Sequence, residues 1–246
     1  MSHKESELSK DIVIMLLAYG SELIQKGGIL LKLNAVTIAT GQSILHKFYF
    51  NHSLRKFNIR TTAAAACLLS CKLEENHRKV NHIVKVFEFL QYYEGKHKCS
   101  SSGQDFDNLS KTDILIIEKE ILVEFAFRLD EIIVSPHRYV LQYTYALFRN
   151  LDQYTSQSVD QLAQRAWGYL NDSMRTSLIC EIEPGVIAVG CIYLASASLG
   201  IPLKKDTLWF EVFNATWNDV IQVCKALDHL YSMGPVYYID VNRKLS

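Results

Sequence analysis

The sequence predicts an all-α protein built in two halves. Apolar residues return at helical spacing in segment after segment, and the alternating, turn-bounded strands of a β protein are not found. The chain of 246 residues holds only four prolines, too few to interrupt many helices. An apolar string of small residues in the first half, AACLLSC ending at Cys71, is echoed by GCIYLAS ending at Ser196, with Leu69 and Leu194 in register.

Taken in order, Ile12, Met15, Leu16, Tyr19 and Leu23 line one face of a first helix. Val36, Thr37, Thr40, Ile44, Leu45 and Phe48 line a second. The Ala-rich stretch from Thr61 to Glu75 is a third, with Thr61 or Thr62 as its expected cap. Val80, Ile83, Val84, Phe87 and Leu90 form a fourth stripe. Glu94 to Ser110, rich in Gly, Ser and Asp, reads as a long loop. Ile114, Ile117, Ile121, Leu122 and Phe125 form a fifth stripe. A break between Ile132 and His137 precedes a fresh helical pattern, which divides the chain into domains 1–133 and 134–246. Of the prolines at 136, 184, 202 and 235, three fall where helices are expected to start or stop.

Lys plus Arg and Asp plus Glu both number 26, so the chain has no net charge to draw it to nucleic acid or an anionic membrane. Its first ten residues are polar, unlike a secretory signal. Pro184 to Leu203 is uncharged over twenty residues, the length of a membrane span, but its Gly and Ser residues suit a helix packed on all sides by others. Six cysteines occur without a Cys-x-x-Cys pair, and Cys67 and Cys71 share one apolar helix face. They read as reduced thiols in a core, in a reducing compartment. No phosphate loop, G-x-S-x-G elbow or H-E-x-x-H motif is present, and His77 and His82 flank a charged turn. No catalytic residue, cofactor, metal or small-molecule substrate is expected.

Two charges stand out of place. Lys72 extends the stripe of Ala65, Leu68 and Leu69, and Glu118 sits among Ile114, Ile121 and Leu122. A charge on a buried stripe is costly unless something pairs with it. The two side chains either bridge their helices or wait, oriented, for the backbone of a partner.

Ala65 to Glu75, AACLLSCKLEE, resembles the third helix of a cyclin box, in which small residues lead into Lys, an apolar residue and two acids. Ile117 to Leu122, IEKEIL, with Phe127-Arg128-Leu129 beyond it, resembles the fifth helix, whose Glu partners that Lys. Trp167 to Thr176 and Glu183 to Ala188 resemble the second repeat of the transcription-type cyclins, the group of cyclins L, K, T and Q. The resemblance runs from about Leu8 to Tyr231 and implies two tandem five-helix repeats. It also implies a nuclear regulatory subunit, with the cytoplasm as a second location, that activates a cyclin-dependent protein kinase. The implied contact residues are Lys72, Leu73, Glu75, Glu118, Leu122, Phe127 and Leu129. Lys72 would donate to backbone carbonyls beside the kinase αC helix, and Glu118 would accept from amides there. Position 72 maps onto Ala197 in the second repeat, so the charged pair is expected in the first alone. The alternatives are a module of the TFIIB type in the transcription machinery, which shares the fold but binds polymerase or, through a basic face, DNA, and a helical scaffold without a kinase.

Overall fold

The computed structural model describes residues 8–97, 109–129, 133–148, 156–203 and 208–242. The chain divides into two compact units: Met1–Asp130 together with Pro235–Ser246, and Glu131–Gly234. Among the described residues all regular structure is helical.

Among the described residues the first unit holds five helices of a turn or more. Helix α1 (Lys10–Leu30) begins where the Ser9 hydroxyl accepts the Ile12 N–H. It is long and apolar enough to cross a membrane, yet Leu16, Tyr19, Leu23 and Ile24 bury its inner face in the unit. It ends with Lys32 in a left-handed conformation and the Leu33 N–H bonded to the Gly28 carbonyl at 2.9 Å. Helix α2 (Ala35–Asn51) follows, capped by Asn34. A Cβ on Gly28 would stand 2.5 Å from Ile38 Cγ1, so α1 and α2 touch where the glycine leaves room.

Helix α3 (Ile59–Leu73) packs against α1 and α2, and against α4 (Val80–His97) and α5 (Lys111–Glu124). Ala63 to Cys67 and Cys71 are buried along it, so small side chains let four neighbours approach one axis. Its cap is Asn58, not Thr61 or Thr62. The Asn58 side chain accepts the Arg60 N–H at 2.8 Å, and Thr62 lies a turn inside, its hydroxyl donating to the Asn58 carbonyl. Helix α4 runs further than the composition of its end suggests. Glu94 to His97 are helical, and Glu94 is held by the Tyr19 hydroxyl at 2.8 Å. The rest of the expected loop, 98–108, lies outside the described residues, and Ser110 caps α5.

The second unit contains α6 (His137–Phe148), α7 (Ser156–Ser173), the single turn α8 (Leu178–Glu181), α9 (Pro184–Leu199), a 3-10 turn (Glu211–Phe213) and α10 (Trp217–Ser232). Thr216 and Asp219 form a reciprocal capping box at the start of α10. The uncharged stretch of the sequence is α9, which has Pro184 in its first turn and Gly200 at φ +65 just beyond its end. It packs against every other helix of its unit, and Val186, Ile187, Val189 and Ile192 are buried. Helix α3 begins at 59 and α9 at 184, an offset of 125 that matches the echo between Leu69 and Leu194.

Candidate functional site

Lys72 occupies the last turn of α3, where a cation is favoured by the helix dipole. Glu118 lies mid-way along α5, between the buried Ile114 and Ile121. Because α3 packs on α5, the two side chains meet: Lys72 Nζ donates to Glu118 Oε1 at 2.6 Å. The pair is lopsided, with side-chain exposure of 49% for Lys72 and 7% for Glu118. The carboxylate has left water and depends on its partner, whereas the ammonium keeps donors at the surface.

The other residues implied by the resemblance divide by exposure. Leu73, Glu75 and Phe127 are exposed, and Leu122 is partly buried. Leu129 is 2% exposed, so it supports the site from within the core and presents no surface. Beside Glu75, the Glu74 carboxylate accepts the Thr40 hydroxyl at 2.7 Å, tying the end of α3 to α2. Asn51 and His52 both reach Glu124, at 2.8 and 3.0 Å, and tie the end of α2 to the end of α5.

Two features escaped sequence reasoning. Leu115, Ile116 and Val123 are exposed on α5, and Leu115, one turn before Glu118, adds to the apolar rim on that face. Their signal was present: α5 carries more apolar residues than one buried stripe needs, so its periodicity is smeared. The second feature is backbone conformation. Glu75, Ala126 and Phe127 have φ of +51, +49 and +60, although none is glycine. They lie just beyond α3 and α5, and the Phe127 N–H closes the latter by bonding to the Leu122 carbonyl at 2.9 Å. Side-chain periodicity does not report on φ.

The arrangement is a half-exposed cation over a buried carboxylate, rimmed by exposed apolar side chains at two helix ends. It suits docking of a backbone segment and has no nucleophile poised beside a base. Among the described residues no group of three His, Cys, Asp or Glu could hold a metal ion. In the second unit Ala197 is exposed at the end of α9, and among the described residues no charged pair takes the equivalent place.

Residues 15–130 match the family described as cyclin, N-terminal domain. Cyclin-L1 of Danio rerio is 38% identical over 229 residues, covering 92% of this chain and 44% of the relative. Cyclin-L1-1 of Arabidopsis thaliana is 33% identical over 237 residues, covering 93% and 53%, and human Cyclin-L2 is 34% identical over 233 residues, covering 94% and 43%. The chain thus spans about half the length of the curated relatives it matches. Among solved structures, one chain of the CAK complex from Chaetomium thermophilum bound to ATP-gamma-S superposes with a TM-score of 0.66 at 19% identity, covering 94% of this chain and 66% of that one. A chain of the yeast RNA Pol II CTD kinase CTDK-1 complex gives 0.64 at 17% identity, covering 91% and 72%. These likenesses establish the fold. Residues 15–130 form a cyclin N-terminal domain, and the chain belongs to the cyclin family, with cyclins L among its relatives.

Proposed function

We propose that this chain is a noncatalytic regulatory subunit that binds a cyclin-dependent protein kinase through the Lys72–Glu118 corner of its first unit and switches the kinase on. The observation that carries the reading is the lopsided pair: a carboxylate buried against a half-exposed ammonium, framed by Leu73, Leu115 and Phe127 at the surface. Lys72 bonds backbone carbonyls of the kinase, and the exposed apolar side chains exclude water around those bonds, where charge-assisted contacts are strong. Seated there, the chain holds the kinase αC helix where its Glu pairs with the catalytic Lys. The three relatives named above, each a cyclin L, support a kinase of transcription or RNA processing, and a nuclear site of action is part of the same proposal.

The test is coprecipitation and kinase assay with Lys72→Glu, Glu118→Lys and the double swap, alongside thermal melts of each isolated chain. Removing one partner of a buried charge pair at an interface costs roughly 30-fold to several-thousand-fold in affinity. The double swap is expected to recover the internal bridge, and with it the melting temperature, but not kinase binding. Kinase binding by the double swap at the wild-type level would rule the reading out.

A further inference from the structure

After α10 the chain returns to the first unit, and Pro235–Ser246 belongs to that unit. The contacts that hold it centre on Tyr238. The Arg60 guanidinium lies 3.7 Å from the Tyr238 ring centroid, and Asn58 Nδ2 donates to the Tyr238 hydroxyl at 3.2 Å. The Tyr19 and Tyr238 rings are 5.9 Å apart, and further along Asn242 Nδ2 donates to the Arg55 carbonyl at 3.2 Å. The receiving surface is braced from below. Arg60 Nε donates to the Tyr19 hydroxyl at 3.1 Å, which in turn donates to Glu94. Tyr19 is buried, and α1, α3 and α4 each supply one member of this relay. The guanidinium is therefore aimed by residues that do not belong to the tail.

We infer that Tyr19, Asn58 and Arg60 form a tyrosine-accepting slot for an extended peptide, and that the segment Pro235–Asn242 is its resident ligand in cis. The fit is chemical. A planar guanidinium takes a ring face, and an amide placed at the ring's far end takes a hydroxyl, so the slot reads tyrosine above phenylalanine. The segment fills the slot at the high effective concentration of a tethered ligand, so a partner segment bearing a tyrosine must displace it. The inference stands apart from the kinase reading, since it uses none of the residues of the Lys72–Glu118 corner.

The probe is a fluorescent synthetic peptide with the sequence Pro235–Ser246, titrated against the full chain and followed by anisotropy. Wild-type chain is expected to bind it at least tenfold more weakly than Tyr238→Ala, whose own tail has lost its anchor. Adding Arg60→Lys to Tyr238→Ala keeps the charge but removes the flat stacking surface, and is expected to weaken binding about tenfold. A peptide with alanine at the tyrosine equivalent to Tyr238 is expected not to bind. Equal affinity of wild type and Tyr238→Ala, or indifference to Arg60→Lys, overturns the proposal. Should Tyr238→Ala not fold, hydrogen exchange on the wild-type chain carries the same test. Excess unlabelled peptide is expected to speed exchange across 236–242, and unchanged exchange there overturns it.

Discussion

Lys72 and Glu118 show how differently two ends of one ion pair respond to loss. Glu118 is the buried end, so Lys72→Ala strands a carboxylate in a site that has little water, whereas Glu118→Gln leaves a lysine that can turn outward. Lys72→Ala is expected to destabilise the isolated chain by about 1–3 kcal/mol, and Glu118→Gln by less than about 1 kcal/mol. At this chain length the first corresponds to a fall of several degrees in melting temperature, which calorimetry resolves. His137 supplies a second residue with a definite sign. Its Nε2 stands 2.8 Å from Asn171 Oδ1, an acceptor that calls for a proton on Nε2, and its Nδ1 3.1 Å from the Ser135 hydroxyl. Burial lowers its pKa, and the Asn171 bond only partly opposes that shift. The unfolded chain therefore takes up the proton first. The stability tied to His137 is complete above its ordinary value near 6.5 and drains away as the pH falls toward and through the lowered one. Between pH 7.5 and 5.5 the melting temperature of His137→Gln is expected to fall less than that of the wild type. Parallel melting curves for the two proteins would show the histidine to be uninvolved.

Glycines inside helices divide by what faces them. Gly190 of α9 has Val223 of α10 against it, with Val223 Cβ 2.6 Å from where a Cβ would stand. That carbon cannot swing away, so Gly190→Ala forces α9 and α10 apart and is expected to cost about 1–3 kcal/mol despite the gain in helix propensity. Gly168 of α7 has nothing within 4 Å, and Gly168→Ala is expected to stabilise by up to about 1 kcal/mol. Opposite shifts in the denaturation midpoints of the two variants would bear this out. At this scale much was legible. The stripes ending at Leu23, Phe48, Leu90 and Phe125 each lie within one helix or its cap, because burial on one face imposes a period that composition cannot hide. The start of α3 was missed because Asn58 competes with two threonines as a cap, and choosing among them takes φ and ψ. The far end of α4 was missed because Gly, Lys and His next to a Ser-rich run look like loop, whereas Tyr19 of α1 fastens the helix there by donating to Glu94. The charged pair could be read from two stripes, but its lopsided burial depends on how α3 and α5 pack.

For the whole molecule, buried thiols offer a separate gauge for each unit. Cys67 lies in the core of the first and Cys191 in that of the second, both sealed from solvent; the hydrogen bond with Cys71 and then burial raise the pKa of Cys67, and burial raises that of Cys191. Neither can react until its unit opens, so the labelling rate of each cysteine, followed by mass spectrometry, measures the opening of that unit. Under the proposed function, a kinase bound at the Lys72–Glu118 corner would stabilise the first unit by mass action. It is expected to slow labelling of Cys67 at least tenfold while leaving Cys191 close to its free rate. Equal protection of both would place the kinase on a wider surface than that corner.

The left-handed residues beyond α3 and α5 have a consequence for anyone who breeds this protein for heat resistance. Glu75, Ala126 and Phe127 each hold a backbone shape that costs an ordinary side chain about 1–2 kcal/mol and glycine almost nothing. A library screened only for survival at high temperature would therefore enrich glycine at 75 and 126 first. Both positions border the corner assigned to the kinase, so the hardiest clones would carry a softened, less defined edge there. Such a screen would need a second gate that scores kinase activity, or it would trade away the surface it was meant to preserve.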